Sequence, residues 1–327
     1  MKDEPSRSLF EMMPISGSFF EKLGAHQTML LDVARCEAYR RAITRVVDAE
    51  SVVVDIGAGT GLLAFFAAQA GARKVYALES TAVAHLAAEI VDANRLNDRI
   101  EIIVGDSRDV VLPELATVVV SETIGFWGID EGVIEILRDA RIRHCTQTAV
   151  IVPRRLRLHL VPMEYPGAWE PIDFWQRRPY GFDFSPVARR ARNNVYIRTT
   201  VRDGRPLALP VVAGDFVLGV SEGEEFVLEV SFANLSRGTM HGFAGWFWLE
   251  LVDEIVLTTA PEGETLHWRQ CFFPLPEALP LRGGETIRCV MSARIGRASL
   301  SFSWRTLTVG CDGAEESVFD ASTDKVS

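Results

Sequence analysis

Three groups of residues in this chain are spaced for chemistry. The first is a glycine-rich turn, Asp55-Ile-Gly57-Ala-Gly59-Thr-Gly61, lying between an apolar run and a helix-forming one. Glycines there let the backbone approach a ligand closely, and the helix N-terminus that follows favours negative charge. Leu62 occupies the third glycine position of the dinucleotide fingerprint, so the G-x-G-x-G spacing points to a different adenosine-containing ligand. The second group is a pair of acids at strand ends. Glu79 is placed to accept both hydroxyls of a ribose, and Asp106 to face an adenine edge. The third is Glu122, also at a strand end, followed nine residues later by Glu131. If the loop between them folds back, two carboxylates face one small cavity, where they share a proton, bind a metal or clamp a cation. The loop holds no His or Cys to support a metal. A planar guanidinium suits such a pair, because carboxylates accept its hydrogen bonds in a fork.

These groups need elements to hold them. SVVVD (51–55), KVYALE (74–79), IEIIVGD (100–106) and TVVVSE (117–122) are apolar runs suited to strands buried on both faces. Between them LLAFFAAQAGA (62–72) and TAVAHLAAEIVDANRL (81–96) read as helices. Strand alternating with helix means a parallel doubly wound sheet, and a ligand lies beyond the carboxyl ends of its strands. Upstream, His26 to Val47 reads as one helix. After about residue 150 the apolar period becomes two, in RLRLHLV (155–161), FVLEVSF (226–232) and GWFWLELV (245–252). That pattern is an antiparallel β domain, barrel or sandwich. Residues 165–200 fit neither pattern and form an excursion. The expected division is an N-terminal helical segment (1–50) over the ligand site, an α/β domain (51–152) and a β domain (153–327).

Composition narrows the partners. With 48% hydrophobic and 24% charged residues, the 327-residue chain is globular rather than disordered. A net charge of −10 argues against a nucleic-acid partner, since phosphate neutralisation needs a basic face. No apolar run is long enough for a membrane span, and MKDEPSRS lacks the pattern of a secretory signal. The expected location is the cytoplasm. The five cysteines form no C-x-x-C and read as reduced structural thiols.

Taken together, these motifs resemble those of the protein arginine methyltransferase family, over nearly the whole chain. GAHQTMLLDVARCEAYRRAI (24–43) resembles the family's N-terminal helix, and VVVDIGAGTGLLAFFAAQAGARKVYALE (52–79) its S-adenosylmethionine (SAM) motifs. SETIGFWGIDE (121–131) resembles its double-glutamate loop, WQRRPYGFDF (175–184) its dimerisation arm, and ETLHWRQCFF (264–273) its Thr-His-Trp loop. The resemblance implies a Rossmann-like SAM-binding domain followed by an antiparallel β-barrel-like domain, with a dimerisation arm at about 165–200. It implies SAM as methyl donor, S-adenosylhomocysteine (SAH) as product, no metal, and a homodimer. It also implies residue roles. Arg35 would hold the SAM carboxylate, Met29 would lie near the methyl, and Asp55, Gly57, Gly59 and Gly61 would form the binding turn. Glu79 would take the ribose and Asp106 the adenine side. Glu122 and Glu131 would clamp a guanidinium, Asp32 and His267 would pair as a buried dyad, and Trp268 would lie against the substrate.

Departures from the family pattern cluster on the acceptor side. Ser16 and Phe20 stand where paired tyrosines are usual, and Leu266 replaces the threonine before the His-Trp pair. Thr123, Ile124 and Asp130 change the double-glutamate loop, Val133 replaces a methionine, and Arg108 stands where an acid near adenine is usual. Asp130, beside Glu131, is placed to meet the α-ammonium of a free amino acid. The favoured expectation is therefore methyl transfer to an ω-nitrogen of free L-arginine or a small derivative. Arginine in proteins or peptides is the alternative. A non-catalytic SAM-binding scaffold would be expected to lack a clamp glutamate. Exposed Trp169, Phe174, Trp175, Tyr180 and Phe182 on the excursion would need a partner surface, which supports a homodimer.

Overall fold

In the computed structural model, which describes residues 11–12, 23–297, 299–309 and 315–326, the first half alternates strand and helix. Its elements are β1 (Glu11–Met12), α1 (Leu23–Leu31), α2 (Val33–Val46), β2 (Val52–Ile56), α3 (Leu62–Gln69), β3 (Lys74–Glu79), α4 (Val83–Ala93), β4 (Ile100–Val104), β5 (Ala116–Ser121), α5 (Val133–Arg143) and β6 (Cys145–Val152). Ser16, Phe20 and Cys311 lie outside the described residues. Strands β2 to β6 form a parallel sheet in the order β4-β3-β2-β5-β6. All five residues of β2 are buried, as a central strand covered on both faces requires. Chain order reverses between β2 and β5, so their carboxyl ends open a crevice at the topological switch point. The glycine turn follows β2 and Glu122 follows β5. That topology brings two of the three sequence groups together.

The single helix expected from His26 to Val47 is two. The chain breaks at Asp32, whose carboxylate accepts the backbone N–H of Arg35 and so caps α2. Its other carboxylate oxygen reaches a distant loop, and that long-range contact fixes the break where helical periodicity alone runs on.

The second half comprises β7 (Arg155–Glu164), α6 (Pro166–Asp173), α7 (Ser185–Arg192), β8 (Tyr196–Thr199), β9 (Arg205–Pro206), β10 (Val211–Val217), β11 (Glu225–Phe232), β12 (Gly238–Val252), β13 (Ile255–Thr258), β14 (Gln270–Leu281), β15 (Thr286–Gly296), β16 (Ser299–Val309) and β17 (Glu315–Ser322). It is antiparallel throughout. Among the described residues its hydrogen bonding forms two sheets, an eight-stranded one that includes β1 and a four-stranded one, β11-β15-β16-β17. They face each other through Phe273 against Phe302 and Trp304, and the Trp304 indole donates to the Pro274 carbonyl. The strict alternation of buried and exposed residues along β11 is the period-two pattern of its sequence.

The excursion at 165–200 carries α6, α7 and two short 3-10 turns before β8. One expectation fails here. Trp169 is buried against His241 and the Arg192 guanidinium, beside a small core that Ala168 and Ile172, one helical turn apart, form with residues of the large sheet such as Val161, Ala244 and Phe272. Trp175 is half-buried between Phe174 and Phe184. Tyr180, 98% exposed, Phe182 and Phe174 remain the exposed aromatics of the arm.

Candidate active site

The glycine turn owes its shape to backbone angles that favour glycine: Gly57, Gly59 and Gly61 all have positive φ. Glu79 holds it in place. One carboxylate oxygen accepts Gly59 N–H at 2.8 Å and the other accepts Thr81 N–H at 2.8 Å. Each oxygen retains a lone pair for a ribose hydroxyl. Helix α1 roofs the turn: a Cβ on Gly59 would come within 3.1 Å of the buried His26 ring. Sequence reasoning missed His26. The signal was its spacing of three residues from Met29, which puts both on one helix face.

Two acids assigned to the cofactor have other partners. Asp55 is fully buried beneath the turn, where one oxygen accepts Ala64 N–H at 3.0 Å at the start of α3. It shapes the turn from below and, with no exposed surface, serves the site through the backbone it holds. Burial raises its pKa to about 7, well above the usual carboxylate range. A group raised on folding favours the native state below its unfolded pKa and loses that contribution as pH rises through the folded one. Stability should therefore decline between about pH 4 and about 7 through this residue. In Asp55→Asn that contribution disappears, so urea midpoints at pH 4.5 and 7.5 should differ less than in the wild type. An equal difference in both proteins would count against an acid buried this way.

Asp106 departs further from expectation. Both its oxygens accept from the Arg108 guanidinium, at 2.9 and 2.7 Å, and this pairing holds its pKa down to about 2. Arg108, two residues along the same turn, takes up the carboxylate expected to face an adenine edge.

The double-glutamate loop is pinned from several sides. The Asp130 carboxylate accepts the N–H groups of Phe126 and Trp127, both at 2.8 Å. A side chain on Gly125 would collide with that carboxylate, so glycine is required there. Trp127 is fully buried, edge-on to Phe273 at 4.9 Å, and ties the loop to the facing sheets. Truncating a buried Trp costs about 3–5 kcal/mol, so this anchor is strong. Trp268 is the second anchor. Only 2% exposed, it donates its indole N–H to the Ile124 carbonyl at 2.8 Å and packs edge-on to Phe247. It supports the loop from behind, and this burial leaves little of its face open to a substrate.

Within this frame the charged groups converge. Arg35, on α2, is buried and ion-paired with Glu122 through Nη1, while Nη2 donates to the Met29 carbonyl at 3.2 Å. The Arg35 Nε is buried without a partner. A guanidinium with an orphaned donor edge fits an incoming carboxylate, as a SAM tail would supply. Burial raises the pKa of Glu122, and Arg35 opposes that shift. Glu131 is half-buried and makes no hydrogen bond or ion pair with a described residue. Burial, then Glu122 and Asp130, push its pKa well up. The dyad forms as expected: one Asp32 oxygen accepts from His267 N–H and meets His267 Nδ1, both at 2.8 Å. Burial raises the Asp32 pKa, but the bonds from His267 outweigh it and hold the carboxyl low. The link fastens the N-terminal helices to the loop before β14. Leu266, in place of threonine, is buried.

Relatives place this geometry. The arginine methyltransferase oligomerization subdomain matches residues 154–305, and the TRM5/TYW2 methyltransferase domain matches residues 29–157. Over 282 residues the chain is 30% identical to protein arginine N-methyltransferase 1 of Schizosaccharomyces pombe, covering 83% of this chain and 82% of that protein. This chain belongs to the protein arginine N-methyltransferase family. It is also 30% identical over 298 residues to a probable protein arginine N-methyltransferase 6 of Arabidopsis thaliana, covering 77% of this chain and 68% of that protein. Among solved structures, the Trypanosoma brucei PRMT1 enzyme–prozyme heterotetrameric complex with AdoHcy superposes with a TM-score of 0.82 at 26% identity. The match covers 93% of this chain and 99% of that one. As a family member the chain is a SAM-dependent arginine methyltransferase. No described residues form a group of three or more His, Cys, Asp or Glu placed to hold a metal, and no described helix is long and apolar enough to cross a membrane.

Proposed function

We propose that this enzyme methylates an ω-nitrogen of arginine in proteins or peptides. In this reading residues 51–152 serve the donor, 153–327 serve the acceptor and assembly, and 1–50 cover the donor. The observation that carries it is the pair of Glu122 and Glu131 at the switch-point crevice, one held by Arg35 and the other open. SAM supplies an electrophilic methyl on a sulfonium. The chain's task is alignment: Glu79 and Arg35 fix the donor's two ends, and the glutamates hold the guanidinium plane toward the methyl. Their charges draw positive charge away from the attacking nitrogen, leaving its lone pair more available.

Free L-arginine, the favoured expectation from the sequence, gives way to the alternative. It rested on Asp130 meeting an α-ammonium, yet both Asp130 oxygens accept backbone N–H groups of their own loop. The relatives above are named for protein arginine. In competition, labelled methyl should enter an arginine-rich peptide much faster than equimolar free arginine. The reverse ranking would restore the small-molecule acceptor.

Assembly as a homodimer accounts for two exposed apolar surfaces. One is the arm, with Phe174, Tyr180, Phe182 and Val187; the other is Leu23, Leu30, Leu31 and Val33 around α1 and the start of α2. Docking the arm of one copy on the helices of a second would cover both, with closed two-fold symmetry. Light scattering at micromolar concentration should report a dimer, and Tyr180→Ser with Phe182→Ser should shift it to monomer. An unshifted dimer would mean that the arm is not the contact.

A further inference from the structure

Strand β13 pairs with β12 along one edge and, among the described residues, with no other strand along the second. An edge of that kind leaves backbone N–H and C=O groups open to another extended chain. Helix α2 packs beside it, and a groove of about 330 Å³ lies between the helix and residues 256–258. Ala34 and Ala38, one turn apart, keep the helix wall low, and Leu266 adds an apolar side chain. Charge lines the groove unevenly. Glu37 and Arg41 come from α2, and Glu264 comes from the loop after β13. Glu37 is paired with Arg40 in an exposed contact, whereas Glu264 is exposed and makes no hydrogen bond or ion pair with a described residue. Arg202 fixes that loop by donating to the Pro261 and Gly263 carbonyls. One end of the groove adjoins the site: Ala34 precedes Arg35, the partner of Glu122, and Leu266 precedes His267, the partner of Asp32. From Ala34 to Arg41 the helix rises about 10 Å, which an extended chain spans in about three residues.

We propose that an extended stretch of the acceptor polypeptide, beside the target arginine, adds to the free edge of β13 and sets a lysine or arginine against Glu264. The proposal rests on the polypeptide acceptor argued above and names what that polypeptide must carry. Main-chain hydrogen bonds to β13 supply affinity that is blind to sequence, and side chains at alternate positions meet the groove walls. The stem of a long cationic side chain lies along Ala34, Ala38 and Leu266 while its head reaches the carboxylate. Arg41, about two helical turns from Ala34, opposes a second cation farther along and so limits where the preferred one sits. Free arginine has no flanking backbone to pair with the strand, so the same groove favours a peptide over the amino acid.

Single-arginine peptides with glycine flanks, each bearing one lysine at a successive position, test this through kcat/KM. Lysine at one near position should raise kcat/KM over the all-glycine peptide by about fivefold, the scale of an exposed ion pair. Glu264→Lys should reverse that ranking, so that aspartate at the same position outperforms lysine. Methylating the peptide's backbone nitrogens one at a time should weaken it at every second position, the period of strand pairing. The lysine and N-methyl scans use the wild-type protein, so they decide even where the variant folds poorly. No favoured lysine position, a lysine preference that persists in Glu264→Lys, or N-methyl effects without a period of two would overturn the proposal and leave the acceptor reading standing. So would loss of the dimer in Glu264→Lys by light scattering, which would assign the groove to a second copy of the chain. Methyl transfer to free arginine and to none of the peptides would instead overturn the acceptor reading, and the proposal with it.

Discussion

Glu122→Gln and Glu131→Gln should each lower turnover by a factor of about 10²–10³, the range seen when one electrostatic contact to a transition state is removed. Glutamine preserves shape and removes charge, so the loss is not one of packing. The two variants should differ in character. In Glu131→Gln the donor side is untouched, since Glu131 contacts neither the glycine turn nor Arg35 by hydrogen bond. SAH affinity should stay near normal and the defect should lie in kcat and acceptor affinity. In Glu122→Gln the partner of Arg35 is altered as well, so a modest change in SAH affinity should accompany the kinetic loss. Single-turnover rates with an arginine peptide and SAH titrations separate these effects. Near-normal turnover by either variant, on both peptide and free arginine, would dismantle the clamp.

The donor half of the site was legible because its signals are local. Gly57, Gly59 and Gly61 need positive φ and follow a buried strand, and Glu79 ends the next strand in the parallel order. Strand periodicity located four of the five parallel strands within a residue or two, because burial on both faces leaves an unmistakable apolar run. What escaped depends on contacts distant in sequence. Asp32 divides a helix that periodicity runs straight through, and the reason is a loop 235 residues away. The resemblance sets Trp268 against the substrate and gives Trp127 no role, and only the tertiary structure shows that both hold the loop from within. Asp130 was misread for a related reason. An acid next to a clamp residue looks available for a ligand, whereas its carboxylate accepts two backbone N–H groups in its own turn, as short-range Asp side chains often do.

Arg35 should prove the most sensitive single residue for the donor. The residue is 5% exposed, and its guanidinium is paired to Glu122 on one edge and unpartnered at Nε. Arg35→Met keeps most of the volume and removes the charge. A donor carboxylate would then lose its charged hydrogen bonds, each worth about 1.5–3 kcal/mol, so SAH affinity should fall by about a hundredfold. Glu122 would lose the cation that opposes burial, and its pKa should rise further. The pH at which turnover reaches half its maximum should therefore move upward in the variant. Arg35→Lys restores charge without the planar fork, so it should recover the pH midpoint better than the SAH affinity. That split is the informative result. A residue that merely filled space would show the same loss for Met and Lys and no movement of the pH profile. SAH affinity within threefold of wild type in Arg35→Met would remove Arg35 from the donor site and leave its pairing with Glu122 as a structural contact alone.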